Sequence, residues 1–289
     1  MEARAKEAGW EQALWEGLFR ALGYKQNIWP MQRLGELLPR LADRGRAVPA
    51  LNSTVTAWQA RLLGVAGLLP PELSSAGHDQ YLRGLWDHWW RERESFSDVL
   101  LPRNLWRFGG LRPANQPQRR LALAAHWLAW RNFPARLEQW FTTEPAGVPL
   151  PQSLLSCLQP TQDEFWSRHW SFQSPRLAKP QPLLGEFRAT DLAVNVILPW
   201  FWTRARAGKN KRLTQLAEER FLAWPPAQDN SLLRLARQRL LGRQPPGCAK
   251  SAARQQGLLQ IVRDFCDHSN AVCADCLFPD MVRQIVLSQ

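Results

Sequence analysis

Trp10-Glu11-Gln12-Ala13-Leu14-Trp15-Glu16-Gly17-Leu18-Phe19-Arg20-Ala21-Leu22-Gly23 decides the fold class. Trp10, Leu14, Leu18 and Leu22, with Trp15 and Phe19 beside them, recur at the spacing of one helix face. Gly23 supplies a stop. The same period continues outward along the chain. Pro30 suits the first turn of a second helix carrying Met31, Leu34, Leu37, Leu38 and Leu41. Asn52-Ser53-Thr54 can cap a third, with Val55, Trp58, Leu62 and Leu63 on one side, and Pro70-Pro71 ends it. Asp79 opens a fourth, with Leu82, Leu85, Trp86 and Trp89 inward. Pro117 starts a helix through Leu121, Ala124, Ala125 and Leu128 to about Arg131. Thr161-Gln162-Asp163-Glu164 reads as a capping box before Phe165, Trp166 and His169. Further helical periods cover 191–202, 210–224, 231–241 and 251–268. Two-residue alternation never persists long enough for a half-buried strand. The expected class is all-α: an irregular multi-helix bundle of about ten helices, with long Pro-rich connections and a Cys-rich C-terminal tail. No repeat of roughly 20–50 residues is visible.

Organisation follows the prolines. Residues 95–117 read as a long irregular segment, 142–160 as the clearest linker, and 174–182 as a third Pro-rich stretch. The expected parts are an N-terminal helical part (1–141), a Pro-rich connection with one short helix (142–182) and a basic C-terminal part (183–289), all compatible with one continuous domain.

The 289-residue chain carries 37 Lys and Arg against 25 Asp and Glu, a formal charge of +12. Only six of the cations are Lys. Arg forks onto phosphate and stacks on bases, so anionic partners, nucleic acid first, are expected. A GC-rich genome also inflates Arg, Ala, Leu, Pro and Trp, but does not suppress Asp and Glu. Arg204, Arg206, Lys209, Lys211 and Arg212 form one basic run around Gly208, beside Trp200 and Trp202. From 230 to 263 there is no acid, but Arg234, Arg237, Arg239, Arg243, Lys250, Arg254 and Arg263. Basic residues interleaved with aromatics can grip single strands; solvated helix faces over core tryptophans have the same pattern. Trp106 and Trp202 are expected to be free to stack. No apolar run reaches the eighteen or so residues of a membrane span, and 1–12 lacks a signal-peptide core. A cytoplasmic chain without a membrane partner is expected.

Near the C-terminus, Cys266, His268, Cys273 and Cys276 fall close together, and Cys248 lies upstream. A Cys-x2-Cys pair lets two thiolates bind one metal from a tight turn. The expected ligands are Cys266, Cys273 and Cys276, with Cys248 or His268 as fourth. Zinc in a closed structural site is the first expectation; an iron–sulfur cluster, or no metal at all, are the alternatives. An odd number of cysteines, three in one tail, is not the framework of a disulfide-bonded domain.

The segment Phe108-Gly109-Gly110-Leu111-Arg112-Pro113-Ala114-Asn115-Gln116-Pro117-Gln118-Arg119-Arg120 sets Arg112, Asn115, Arg119 and Arg120 around a helix start. Free N–H groups there can bind an anion; a capped turn with solvated arginines is the plainer reading. Asp191 and Asn195, four apart, share a helix face. Walker, Gly-x-Ser-x-Gly, His-Glu-x-x-His and kinase signatures are missing, so no catalytic residue is assigned. Asp87-His88, Asp163-Glu164 and His169 read as caps, surface charges or core histidines, and His126 as core.

The segment 110–120, together with Ala21-Leu22-Gly23-Tyr24, 191–199 and 254–276, resembles a bacterial family, the domain of unknown function 2851. The resemblance runs from about residue 10 to 279, and Arg112-Pro113-Ala114-Asn115 is its most specific part. It implies Arg112, Asn115, Arg119, Asp191, Asn195, Gln255, Gln256 and the three tail cysteines as family positions, without roles. Family members carry an N-terminal portion resembling a metal-dependent nuclease core, which this chain lacks. The resemblance therefore implies a fragment, a separate subunit or a shortened member, and a nuclease-like partner; beside such a core an iron–sulfur cluster gains weight. The leading expectation is a nucleic-acid-binding helical module with a structural metal, accessory to a nuclease-like domain. The alternatives are a scaffold for an acidic protein, and an enzyme with an anion site around Arg112, Asn115 and Asp191.

Overall fold

A computed structural model describes residues 1–44, 54–70, 79–130, 132–143, 147–160, 163–241, 250–266 and 276–287. The class is all-α, with no strand among the described residues. The chain divides into two compact units, Met1–Lys211 and Arg212–Gln289. Residues 142–182 fall wholly within the first.

In the first unit, α1 (Glu2–Ala8) leads into α2 (Trp10–Leu22), which packs along α3 (Ile28–Arg44). Leu14, Leu18, Phe19 and Leu22 of α2 are buried together with Met31, Leu34, Leu38 and Leu41 of α3, the two stripes read from the sequence. The centre is α4 (Val55–Val65) against α6 (Pro117–Ala129). Thr54 caps α4 by accepting from the Ala57 amide at 3.2 Å. From Ala57 to Val65 every residue of α4 is buried, and so is α6 from Pro117 to Trp127. A helix buried all round belongs to a core, and its polar side chains need partners there. Arg61 finds one in Glu92 of α5 (Asp79–Glu92): Nε donates to Oε2 at 2.8 Å and NH2 to Oε1 at 2.7 Å, a bidentate pair.

The irregular stretch after α5 is a series of 3-10 turns, Arg93–Val99, Arg103–Leu105 and Pro113–Asn115. Trp106 does not stand free in it. It is buried, and its indole N–H donates to the Ala66 carbonyl at 2.8 Å. The supposed linker at 142–160 contains α8 (Leu150–Leu158), which follows α7 (Phe133–Thr142). Leu154, Cys157 and Leu158 are buried, and Trp127 of α6 donates to the Leu158 carbonyl at 2.8 Å, so this segment is core. Pro149 and Pro151 open the helix rather than break it.

The capping box at 161–164 starts no α-helix. Thr161 and Gln162 lie outside the described residues, and 164–168 are turns. Asp163 is the cap: Oδ1 accepts from the Trp166 amide at 2.7 Å. The helix expected over 191–202 begins earlier, as α9 (Glu186–Leu192), passes through a π turn (Ala193–Ile197) and continues as α10 (Leu198–Ala207).

In the second unit, α11 (Lys211–Ala223) is followed by α12 (Ser231–Leu241), α13 (Ala252–Phe265) and α14 (Phe278–Leu287). Gln255 is a buried clamp: Oε1 accepts from the Ala227 amide at 2.8 Å, and Nε2 donates to its carbonyl at 3.3 Å. More helices form than the ten or so expected, because α1, α7 and α8 are too short to show a periodic stripe. Among the described residues, no helix is long and apolar enough to cross a membrane.

Candidate functional site

Arg119 and Arg120 stand in the first turn of α6, where the helix dipole repels cations. Their burial is compensated by oxygen atoms from elsewhere in the chain. Arg119 donates from Nε to the Trp166 carbonyl (3.0 Å) and from NH2 to the carbonyls of Gln181 (2.8 Å) and Pro182 (3.0 Å). Its guanidinium also lies 4.6 Å from the Trp170 ring centroid. Burial pushes it down to about 10, well above neutrality, so it stays charged. Every strong donor of Arg119 thus fastens the 163–183 segment. It is a structural staple rather than the phosphate ligand suggested by its place in the sequence.

Arg120 joins two of the other expected residues. NH2 donates to Asn115 Oδ1 at 2.7 Å and NH1 to the Leu183 carbonyl at 3.0 Å. Its Nε makes no hydrogen bond to the described residues. Burial first, then Arg188 and Arg119, push this guanidinium down to about 9, opposed by Asp191. Arg188 of α9 is buried too; NH1 lies 3.3 Å from Asp191 Oδ2 and 3.4 Å from the Ala21 carbonyl at the end of α2. Arg188 is therefore paired with a carboxylate, while Arg120 is held by neutral oxygens. Asp191 is raised by its burial despite both arginines. Directly after it the helix opens into the π turn, a device often found at functional sites, and Asn195 donates to the Asp191 carbonyl at 2.9 Å.

Tyr24 covers this cluster. Its ring centroid is 4.4 Å from the Arg188 guanidinium, yet the residue is 45% exposed. Its φ is +55°, the left-handed region that a bulky side chain avoids. Gly23 explains the displacement by one position. A Cβ on Gly23 would meet the Asn27 carbonyl oxygen at 2.3 Å, so the glycine is needed for that close approach and the left-handed turn falls on Tyr24. The loop is tied to the 107–116 segment by Asn27, whose amide group exchanges hydrogen bonds with the backbone of Arg107 at 2.8 and 2.9 Å. Tyr24 and Arg188 were not singled out as site residues. Tyr24 follows a helix-ending glycine, where an exposed aromatic is uncommon; Arg188 gave no sequence signal.

The other expected site residues are dispersed. Arg112 is exposed at the edge of this region. At the end of α10, the guanidiniums of Arg204 and Arg206 lie 5.1 and 4.6 Å from the ring centroids of Trp200 and Trp202. Arg206, Lys209 and Lys211 are exposed, as are Arg212 and Arg254 of the second unit. Cys248, His268 and Cys273 lie outside the described residues. Cys266, at the C-cap of α13, is half-buried, as is Cys276. No group of three or more His, Cys, Asp or Glu able to hold a metal occurs among the described residues.

A buried network not foreseen in the sequence links α4, α5, α6 and Asp163. Asp163 Oδ2 lies 2.8 Å from His126 Nε2 and accepts from Gln59 Nε2 at 2.8 Å. Tyr81 donates to Gln59 Oε1 at 2.8 Å and accepts from Trp166 Nε1 at 2.6 Å. Among the contacts described, no Ser or Cys nucleophile meets the His–Asp pair, whose visible work is to satisfy core polar groups. A polar cleft of about 660 Å³ opens beside Asp163, with Ser167, Arg168 and Arg176 in its wall.

A family model described as "Protein of unknown function (DUF2851)" matches residues 2–230. The chain belongs to this family. The match includes Tyr24, Arg112, Asn115, Arg119, Asp191 and Asn195, and stops before Gln255, Gln256 and the cysteine tail. No curated protein and no solved structure matches the chain.

Proposed function

We propose that this DUF2851 chain is a basic nucleic-acid-binding helical module, accessory to a nuclease-like domain or partner in the cytoplasm. The observation that carries the reading is the end of α10, where Arg204 and Arg206 lie on tryptophan rings and Lys209 and Lys211 follow with no intervening acid in the sequence; Arg204 NH1 also lies 3.6 Å from Glu138 Oε1, so the other three cations carry most of the attraction. Resting on a ring holds a guanidinium in place, so less freedom is lost when it meets phosphate.

Binding to labelled single-stranded DNA, RNA and duplex should weaken steeply between about 50 and 200 mM salt, because each bound phosphate releases counterions. Changing Arg204, Arg206, Lys209 and Lys211 together to Ala should make the single-strand log K against log salt slope shallower by about 3. Fluorescence anisotropy across a salt series measures this. Salt-insensitive binding, or none at low salt, defeats the reading and favours an acidic protein partner.

We propose further that Cys266, Cys273 and Cys276, with Cys248 or His268, hold a structural zinc ion, or an iron–sulfur cluster. The support is that Phe265 and Phe278 rings meet at 5.3 Å, which draws the chain next to Cys266 towards that just beyond Cys276. Such a metal would cross-link the last helices. Anaerobically purified protein should contain about one equivalent of zinc, or iron with cluster absorption, and chelation should lower the thermal midpoint. Absence of both metals from such protein rejects the site.

A further inference from the structure

We infer that Tyr24 and Arg188 form a stacking platform for an unpaired base of single-stranded nucleic acid, the adjoining phosphate being drawn to the charge of Arg188 and Arg120. The inference rests on the nucleic-acid reading above and gives it a substrate class.

Three independent observations converge on this place. First, Tyr24 holds a left-handed backbone, φ +55°, that glycine would adopt without strain. The strained backbone lays the ring over Arg188 while leaving it 45% exposed. The close approach of Gly23 to Asn27 accounts for a left-handed backbone at position 24, but not for an aromatic side chain there, half exposed, where glycine would be unstrained. Second, the guanidinium beneath the ring draws on its π electrons. The opposite face then repels the π cloud of a stacked base less, and every base has such a face. Third, Arg188 and Arg120 are both buried; Arg188 lies 3.3 Å from the Asp191 carboxylate, while the hydrogen bonds of Arg120 run to the neutral oxygens of Asn115 and Leu183, so its charge remains to attract an anion. A phosphate flanking the stacked base supplies the missing negative charge. The bases of a duplex are already stacked on one another and offer no free face, so the platform selects single strands.

The test uses the full chain with a single-stranded oligonucleotide carrying one 2-aminopurine, and the same oligonucleotide in a duplex. Tyr24→Gly removes the ring and the backbone strain together; Tyr24→Phe keeps the ring. Wild type and Tyr24→Phe should quench 2-aminopurine fluorescence on binding the single strand. Tyr24→Gly should lose the quench and bind the single strand about tenfold more weakly, with duplex affinity within about twofold. Its thermal midpoint should stay within about 2 °C of wild type, since lost ring contacts are offset by relieved strain. A Tyr24→Gly protein that quenches and binds as wild type does overturns the platform while leaving the nucleic-acid reading intact. So does one that weakens both ligands alike and melts several degrees lower, the mark of a structural role. Wild-type protein that binds neither ligand overturns both readings.

Discussion

Replacing Arg119 with Met should destabilise the first unit by about 2–4 kcal/mol. Methionine fills the same space but donates nothing. The buried carbonyl of Trp166 then loses its partner, at roughly 1–3 kcal/mol, and the part-buried carbonyls of Gln181 and Pro182, which water can reach, lose less. Relief from burying the guanidinium offsets part of that sum. A buried ion can often be exchanged for an apolar residue at little cost when its partners are exchanged as well. Main-chain carbonyls cannot be. Lysine should recover little, because one ammonium cannot reach three oxygens held by a planar fork. Arg107→Met, on an exposed residue twelve positions earlier, should change stability by less than about 0.5 kcal/mol. Urea midpoints of the three variants measure the differences. Amide exchange should show the loss first at 163–183, where Arg119 holds the chain. Equal stability of Arg119→Met and wild type would show that the staple is dispensable.

Arg119 also shows which part of the site was legible in the sequence. The 112–120 segment pointed to a helix start crowded with cations, and Asn115 and Arg120 do meet there. What spacing could not reveal was direction. Arg119 and Arg120 are adjacent, so they leave the helix about 100° apart, and tertiary packing sends both into the interior. The long stripes of α2 and α3 were legible because an amphipathic helix writes its buried face at every third or fourth position. The core helices α4 and α6 are buried on all sides, so Gln59, Arg61 and His126 sit among apolar residues without marking a polar face. Partners such as Tyr81, 22 residues from Gln59, and Asp163, 104 residues from it, are set by the fold alone. The prolines of 142–182 suggested a connector because proline ends helices. Pro151 instead occupies the first turn of α8, where its missing N–H costs nothing. Tyr24 carries only the family resemblance in the sequence, because the glycine beside it accounts for the helix end.

Asp163→Ala should cost about 3–5 kcal/mol near neutral pH and should also change how stability depends on acid. Its carboxylate accepts from the Trp166 amide and Gln59 Nε2 and pairs with His126 Nε2. Alanine orphans all three nitrogens inside the core. Burial alone would raise the Asp163 carboxyl. The bonds from His126, the Trp166 amide and Gln59 outweigh burial and hold it below its ordinary value of 3.8. A carboxyl depressed in the folded state binds its proton more readily once unfolded. Its stabilisation is therefore complete above the unfolded value and drains away as pH falls through the lower, folded one. Asp191 has the opposite sign. Burial raises it, so its contribution is complete below the unfolded value and lost as pH rises through the folded one. Wild-type stability should thus fall below about pH 4, and Asp163→Ala should fall less steeply there, because one titrating difference is gone. Asp191→Asn should show the reverse, gaining relative to wild type above that range. Urea midpoints between about pH 3 and 7 measure all three proteins on one axis. Parallel curves for wild type and Asp163→Ala would mean that the carboxyl titrates alike in the folded and unfolded chain, so that its partners do not favour the ionised form. A wild-type curve that gains on the variant as pH falls would mean a carboxyl kept neutral by the fold, and Asp163→Asn should then be nearly as stable as wild type.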